Sequence, residues 1–96
     1  MKNTINQSTE NFPERKINWK IIQREMKDKF GSDIYESWLR KIDFIDEFKN
    51  YLLISVSTRF IRDWITSRYI DQILQIVRVH NKEIGRIEFN INDQKQ

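Results

Sequence analysis

The sequence predicts an α+β domain with its elements in the order α-α-β-β-α-β, a three-stranded sheet packed against helices. Three observations carry that expectation. Apolar residues recur every three or four positions from Trp19 and again from Phe60, as on one face of a helix. Between and after these stretches the period drops to two, at Ile42 and Phe44, at Leu52, Ile54 and Val56, and at Ile87, Phe89 and Ile91. Finally, 96 residues with 39% apolar and 32% charged side chains suit one small folded core rather than a disordered segment.

Residues 1–16 are polar and aperiodic, so a disordered leader is expected there, with Phe12 as its one contact with the domain. The interaction domain itself is expected over 17–92, and 93–96 read as a polar tail or linker start. In the first helix, about 18–30, Trp19, Ile22, Met26 and Phe30 share a face, and Gly31 is a natural stop. Ser32 or Asp33 is then expected to cap a short second helix, with Glu36 completing a capping box and Ile34, Tyr35, Trp38 and Leu39 facing the core. Two antiparallel strands follow, joined by a loop over Asp46–Asn50.

The stretch TRFIRDWITSRY, Thr58–Tyr69, opens the longest helical pattern, which runs to about His80. Ser57 and Thr58 can cap it. Its apolar face shifts along its length, from Phe60–Ile65 to Tyr69–Val77. We expect one continuous helix with a changing contact surface; a bend near Thr66–Ser67 is the alternative. Asn81 ends it, and the third strand follows.

Composition excludes several functions. Without cysteine there is no disulfide framework and no thiolate metal site. No apolar run resembles a signal peptide or a membrane span, so a cytoplasmic protein without membrane contact is expected. The net charge of +3 allows only weak nucleic-acid affinity. The only glycines are Gly31 and Gly85, so no phosphate-binding loop exists, and no cofactor or metal is expected. Asp43, Asp46 and Glu47 could meet a cation but read first as a solvated hairpin turn. His80 has no nucleophile patterned with it and is expected to cap a helix end. No catalytic constellation is present, and a non-enzyme is expected.

Aromatic and basic residues carry the remaining candidates. Trp38 and Trp64 lie in dense apolar stripes and read as core. Trp19, at the start of its helix, fits core and interface equally well. Phe60 reads on pattern alone as a core residue, yet an exposed knob between Arg59 and Arg62 would have the composition of an interface hot spot. Lys20, Arg24 and Lys27, with the arginines, are candidates for phosphate contact.

Trp19, the run YESWL at 35–39 and LLISVSTRFIRDWITSRY at 52–69 together resemble the N-terminal domain of the bacterial chromosomal replication initiator DnaA, over about residues 18–92. In that family a helix of the form N-x-F-x-x-x-W-x-x-x-x-Y follows an apolar strand and a short turn; Phe60, Trp64 and Tyr69 take its last three named positions. The resemblance implies a KH-like fold and an interaction hub. Such a hub self-associates weakly, helps recruit the replicative helicase and is bound by initiation regulators. It also implies that Trp19 serves self-association and that Phe60, with Arg59 and Arg62 beside it, contacts the helicase or another partner.

Three positions depart from the family pattern. Lys41 stands where proline is frequent, Ser57-Thr58 replaces Pro-Asn, and Ile34 replaces a helicase-contacting glutamate. A GxxG loop is also missing, so nucleic-acid binding in the usual KH manner is not implied. No ATPase or helix-turn-helix region accompanies the domain, so the chain reads as a fragment of an initiator or as a stand-alone regulator that competes with one. A weak single-stranded nucleic-acid-binding module is the remaining alternative.

Overall fold

The computed structural model describes residues 15–92; the expected leader up to position 14, with Phe12, and the 93–96 tail lie outside the described residues. Four helices, one 3-10 turn and three strands follow in the order α1 (Trp19–Phe30), α2 (Ser32–Ser37), the turn Leu39–Lys41, β1 (Asp43–Glu47), β2 (Tyr51–Val56), α3 (Arg59–Arg68), α4 (Ile70–His80) and β3 (Arg86–Ile91). The α+β arrangement is the one the periods predict, with one helix more.

Helix α1 starts where Asn18 accepts a hydrogen bond from the Lys20 amide, and it buries Ile22 and Met26 completely. It ends at Gly31, whose φ of 91° and ψ of 161° lie in an extended region at positive φ that is open essentially to glycine. That single residue also begins α2: its amide donates to Lys27 and its carbonyl accepts from Tyr35. The expected cap by Ser32 or Asp33 therefore does not form. With a one-residue connection, α2 starts at Ser32 itself, and no side chain caps it. Burial pushes the Tyr35 hydroxyl above its ordinary 10.0, Glu36 adds to the rise and Arg40 opposes it.

The predicted continuous helix is broken at Tyr69, where φ is −125° and ψ is −12°. Ile65 and Ile73, both buried, lie eight positions apart, about 80° out of phase on a straight helix. Breaking the rod lets both halves face the same core. The break falls two residues beyond the Thr66–Ser67 alternative, and the Tyr69 ring meets Phe30 edge-on at 5.2 Å.

The sheet order is β1-β2-β3; β1 pairs with β2 antiparallel, and β2 with β3 parallel. A parallel neighbour needs a long crossover, and α3 with α4 supplies it. Leu52, Ile54 and Val56 of the central strand face the core, where Ile17, Leu39, Ile42, Ile65, Ile73, Val77 and Ile84 meet them. Ile87, Phe89 and Ile91 pair with those three β2 positions but stay half-buried on the sheet edge.

The hairpin loop is shorter than predicted. Strand β1 runs through Glu47, leaving Phe48–Asn50 as the connection, and its register slips between Phe44 and Asp46. That bulge at Ile45 decides what happens to the acidic residues. It turns Glu47 onto the core face opposite Leu52, where it is 4% exposed. The turn is thus not the solvated acidic loop that the pattern suggests.

Candidate functional site

Two tryptophan-centred aromatic surfaces emerge from this fold, apart from the Phe48–Tyr51 stack under Arg86 at the hairpin. The first is built on α3. Thr58 fixes the helix start: its Oγ1 accepts from the Ile61 amide at 3.2 Å, and its carbonyl accepts from Arg62 at 3.2 Å. Phe60 then sits in the first turn, about 140° round the helix from the fully buried Ile65. The apolar face inferred from sequence was too wide for one core contact. Phe60 lies at its outer edge and is 65% exposed, so the core reading of this residue does not hold.

Trp38 and Trp64 are also not core residues. Both are half-buried and pack on the outside of the core cluster, their rings stacked at 4.4 Å and 11°. Phe60 leans on this pair, 5.9 Å from the Trp38 ring and 6.2 Å from that of Trp64. The Arg68 guanidinium lies 3.8 Å from the centre of the Trp64 ring. Since Trp38 occupies one face of that indole, Arg68 takes the other. The buried Trp64 Nε1 has no hydrogen-bond acceptor among the described residues. Arg59 is exposed and forms no ion pair among the described residues, whereas Arg62 bonds the Asp63 carboxylate at 3.0 Å. No acidic residue occupies the first turn of α3.

The second surface surrounds Trp19. Its ring stacks on Phe44 of β1 at 5.6 Å and 28°, leaving it half-buried. Arg15 places its guanidinium 5.6 Å from the centre of the Phe44 ring and ion-pairs with Asp46 at 2.7 Å. Next to it, Glu47 Oε1 accepts from the amides of Lys16 and Ile17, and Oε2 accepts from Asn81 Nδ2 at 2.7 Å. Arg15 and Lys16, which the sequence reading assigned to the leader, are thereby fastened to β1.

Trp19 and Phe60 share no ring contact, so the two surfaces are distinct. Lys20, Arg24 and Lys27 are exposed along α1 without ion pairs among the described residues. His80 does not cap its own helix. Its Nε2 meets Glu25 Oε1 at 2.8 Å and ties the end of α4 to α1. Among the described residues no group of three His, Cys, Asp or Glu side chains could hold a metal ion, and no helix is long and apolar enough to cross a membrane.

Sequence reasoning missed the contacts of Arg15, Glu47 and Asn81, and gave Arg68 only a possible phosphate contact. Arg68 had a signal, since it lies four residues after Trp64 on the same helix face. Glu47 had none: only the bulge puts it inside.

Comparison with known proteins places these surfaces in a family context. Residues 17–79 match the DnaA N-terminal domain. The chromosomal replication initiator protein DnaA of Wolbachia sp. subsp. Brugia malayi is 34% identical over 79 residues, covering 82% of this chain and 17% of the relative. That of Wolbachia pipientis wMel is 33% identical over 79 residues, with the same coverage of both chains. The Rickettsia massiliae protein is 34% identical over 70 residues, which is 73% of this chain and 15% of the relative. The chain thus spans about a sixth of the length of these relatives (17% at most). The matched stretch runs from the first core residue, Ile17, through both Trp–aromatic stacks and into α4; by that match and these identities, the chain belongs to the DnaA N-terminal domain family.

Proposed function

We propose that this chain is a non-enzymatic protein-protein interaction domain of a replication initiator. It offers Phe60 to the replicative helicase or to initiation regulators, and it self-associates weakly through the surface around Trp19. The observation that carries the reading is Phe60 itself: a phenylalanine 65% exposed on a platform of two stacked tryptophans. Contiguous exposed apolar patches, as Phe60 makes with the two tryptophans, mark interaction sites, and aromatic and arginine residues are enriched among interface hot spots. Trp19 supports the second contact more weakly, because Phe44 already covers part of it.

The test is binding of this domain to its cognate replicative helicase, with Phe60→Ala as control. Truncating a central anchor weakens such a contact by at least about thirtyfold, equivalent to roughly 2 kcal/mol. Equal binding by the folded variant would reject Phe60 as the contact. Self-association is read separately, by sedimentation equilibrium of Trp19→Ala.

A second reading, weak binding of single-stranded nucleic acid, is favoured only by the exposed stripe Lys20, Arg24 and Lys27, without ion pairs among the described residues. Phosphate contacts of that kind weaken steeply with salt, and those of an apolar anchor do not.

A further inference from the structure

We propose that β3 is the docking edge for a second copy of this chain. The two β3 strands pair antiparallel about Phe89 and join two three-stranded sheets into one. This surface is separate from both tryptophan stacks and depends on neither.

Backbone directions carry it. In the sheet β3 is an edge strand, with only β2 beside it among the described residues. Successive residues of a strand turn their N–H and C=O groups to opposite edges. The Tyr51 carbonyl accepts from the Phe48 amide on the β1 side, so the backbone groups of Leu52, Ile54 and Val56 point to β3. The Asn92 amide accordingly donates to the Val56 carbonyl. Glu88 and Asn90, in phase with Asn92, therefore serve β2, and the N–H and C=O groups of Ile87, Phe89 and Ile91 point away from it. These groups have no hydrogen-bond partner among the described residues.

The two edges of the sheet differ in how they are guarded. Strand β1 has the bulge at Ile45, the charges of Asp43 and Asp46, and the amides of Lys16 and Ile17 bound to its last residue, Glu47. None of these devices is present on β3. It keeps an unbroken register with β2 and contains neither proline nor lysine. Its only charges, Arg86 and Glu88, bond each other. The three residues whose backbone groups are unpaired are all apolar and half-buried.

Parity and charge then select the pairing. Residues with unpaired backbone groups must face one another, so the twofold axis passes through a residue. Centred on Phe89, Ile87 meets Ile91 of the second copy and Phe89 meets its own counterpart, each pair exchanging both hydrogen bonds. On the helix-free face Glu88 meets Asn90 of the second copy. Centred on Glu88, the two Glu88 carboxylates would stand directly opposite, which is unfavourable. Centred on Ile87, pairing needs the Gly85 amide, which already donates to Asn50 at 2.8 Å. Centred on Asn90, only residues 89–91 of the strands overlap.

The chain has no cysteine, so single cysteines can report the register. Glu88→Cys and Asn90→Cys are made separately, with Val79→Cys, 81% exposed on α4, as the control position. Each is checked by circular dichroism for folding. The two β3 variants are mixed in equal amounts at about 0.5 mM, because one strand pair is a small and transient interface, and then oxidised. Directly opposed residues of an antiparallel pair lie within disulfide reach, so the mixed 88–90 dimer should exceed either like-with-like dimer, and any dimer through Val79→Cys, by about fivefold or more.

Ile91→Pro is the second probe. Its N–H points away from β2, so proline removes no bond of the ladder within the chain. In the Trp19→Ala background, where the contact around Trp19 is removed, sedimentation equilibrium should show association weakened about tenfold by this change. A predominant 88–88 dimer would move the axis to Glu88 and overturn the pairing. Cross-linking no better than at Val79→Cys overturns the β3 interface and leaves the Trp19 reading untouched. So does a folded Trp19→Ala protein that stays monomeric at the same concentration, or one whose association Ile91→Pro does not weaken.

Discussion

The two aromatic surfaces are built from the same parts and finished differently. Around Trp19, a tryptophan stacks on an aromatic ring and an arginine lies over that ring. Around Trp64, a tryptophan again stacks and an arginine again covers a ring. At the first surface the groups beside the stack are partnered: Arg15 has Asp46, and the buried Glu47 has two amides and the Asn81 side chain. At the second, Arg68 and Arg59 have no carboxylate among the described residues, the Trp64 Nε1 has no acceptor there, and a phenylalanine stands in water. The first surface is largely satisfied within the chain. The second is left open, with Phe60 65% exposed.

If that contrast is right, removing Glu47 from the first surface should affect stability most, and removing Phe60 from the second should affect stability least. The largest effect is expected for Glu47→Ala. It strands two backbone amides and the Asn81 side chain, all bound to one 4%-exposed carboxylate, and should lower unfolding free energy in urea by about 3 kcal/mol. Glu47→Gln, which keeps an acceptor, should cost distinctly less. Trp64→Ala comes next, at about 2 kcal/mol, below the full core value because the ring is only half-buried. Trp64→Phe should recover most of that loss, since the Nε1 donor it removes has no acceptor among the described residues. Little change between the alanine and phenylalanine variants would show that a ring at this position contributes little to stability.

Smaller again are the two arginines. Arg15→Ala and Arg68→Ala should each cost about 0.5–1 kcal/mol by thermal melting, because their cation–π contacts are partly solvated. High salt should reduce the first more than the second, since only Arg15 adds a surface ion pair. Phe60→Ala should change stability by less than about 0.5 kcal/mol, as exposed side chains do. A large stability loss there would erase the distinction between the two surfaces.

How much of this was legible in advance depended on what sets each feature. Periods of 3.6 and 2 reflect which face meets the core, so α1, β2, β3 and the buried Ile22, Met26, Leu52, Ile54 and Val56 could be read directly. Thr58 as a cap was equally plain, because the capping bond is local. The break at Tyr69 was visible as a phase shift but not as a position, since a continuous and a broken helix share the same pattern. Glu47 defeated the reading altogether. Its burial depends on a bulge at Ile45 and on partners about thirty residues away in either direction along the chain. Phe60 failed for a subtler reason: an apolar arc wider than the available core leaves its margin in water, and sequence does not say which margin.

The parallel pairing of β3 bears on how the domain can be handled and made. The stretch matching the family ends at residue 79, yet the strand that covers one side of β2 spans Arg86–Ile91. A chain cut at the end of the match would retain every aromatic of both stacks but leave LLISV, Leu52–Val56, with an open apolar edge. Such an edge is a template for intermolecular strand addition, so the shortened piece should precipitate or form fibrils where the longer one stays monodisperse. The same ordering holds during translation. The central strand waits unpaired on one side while some thirty further residues are synthesised, a few seconds at typical elongation rates, and it is most exposed to aggregation in that interval.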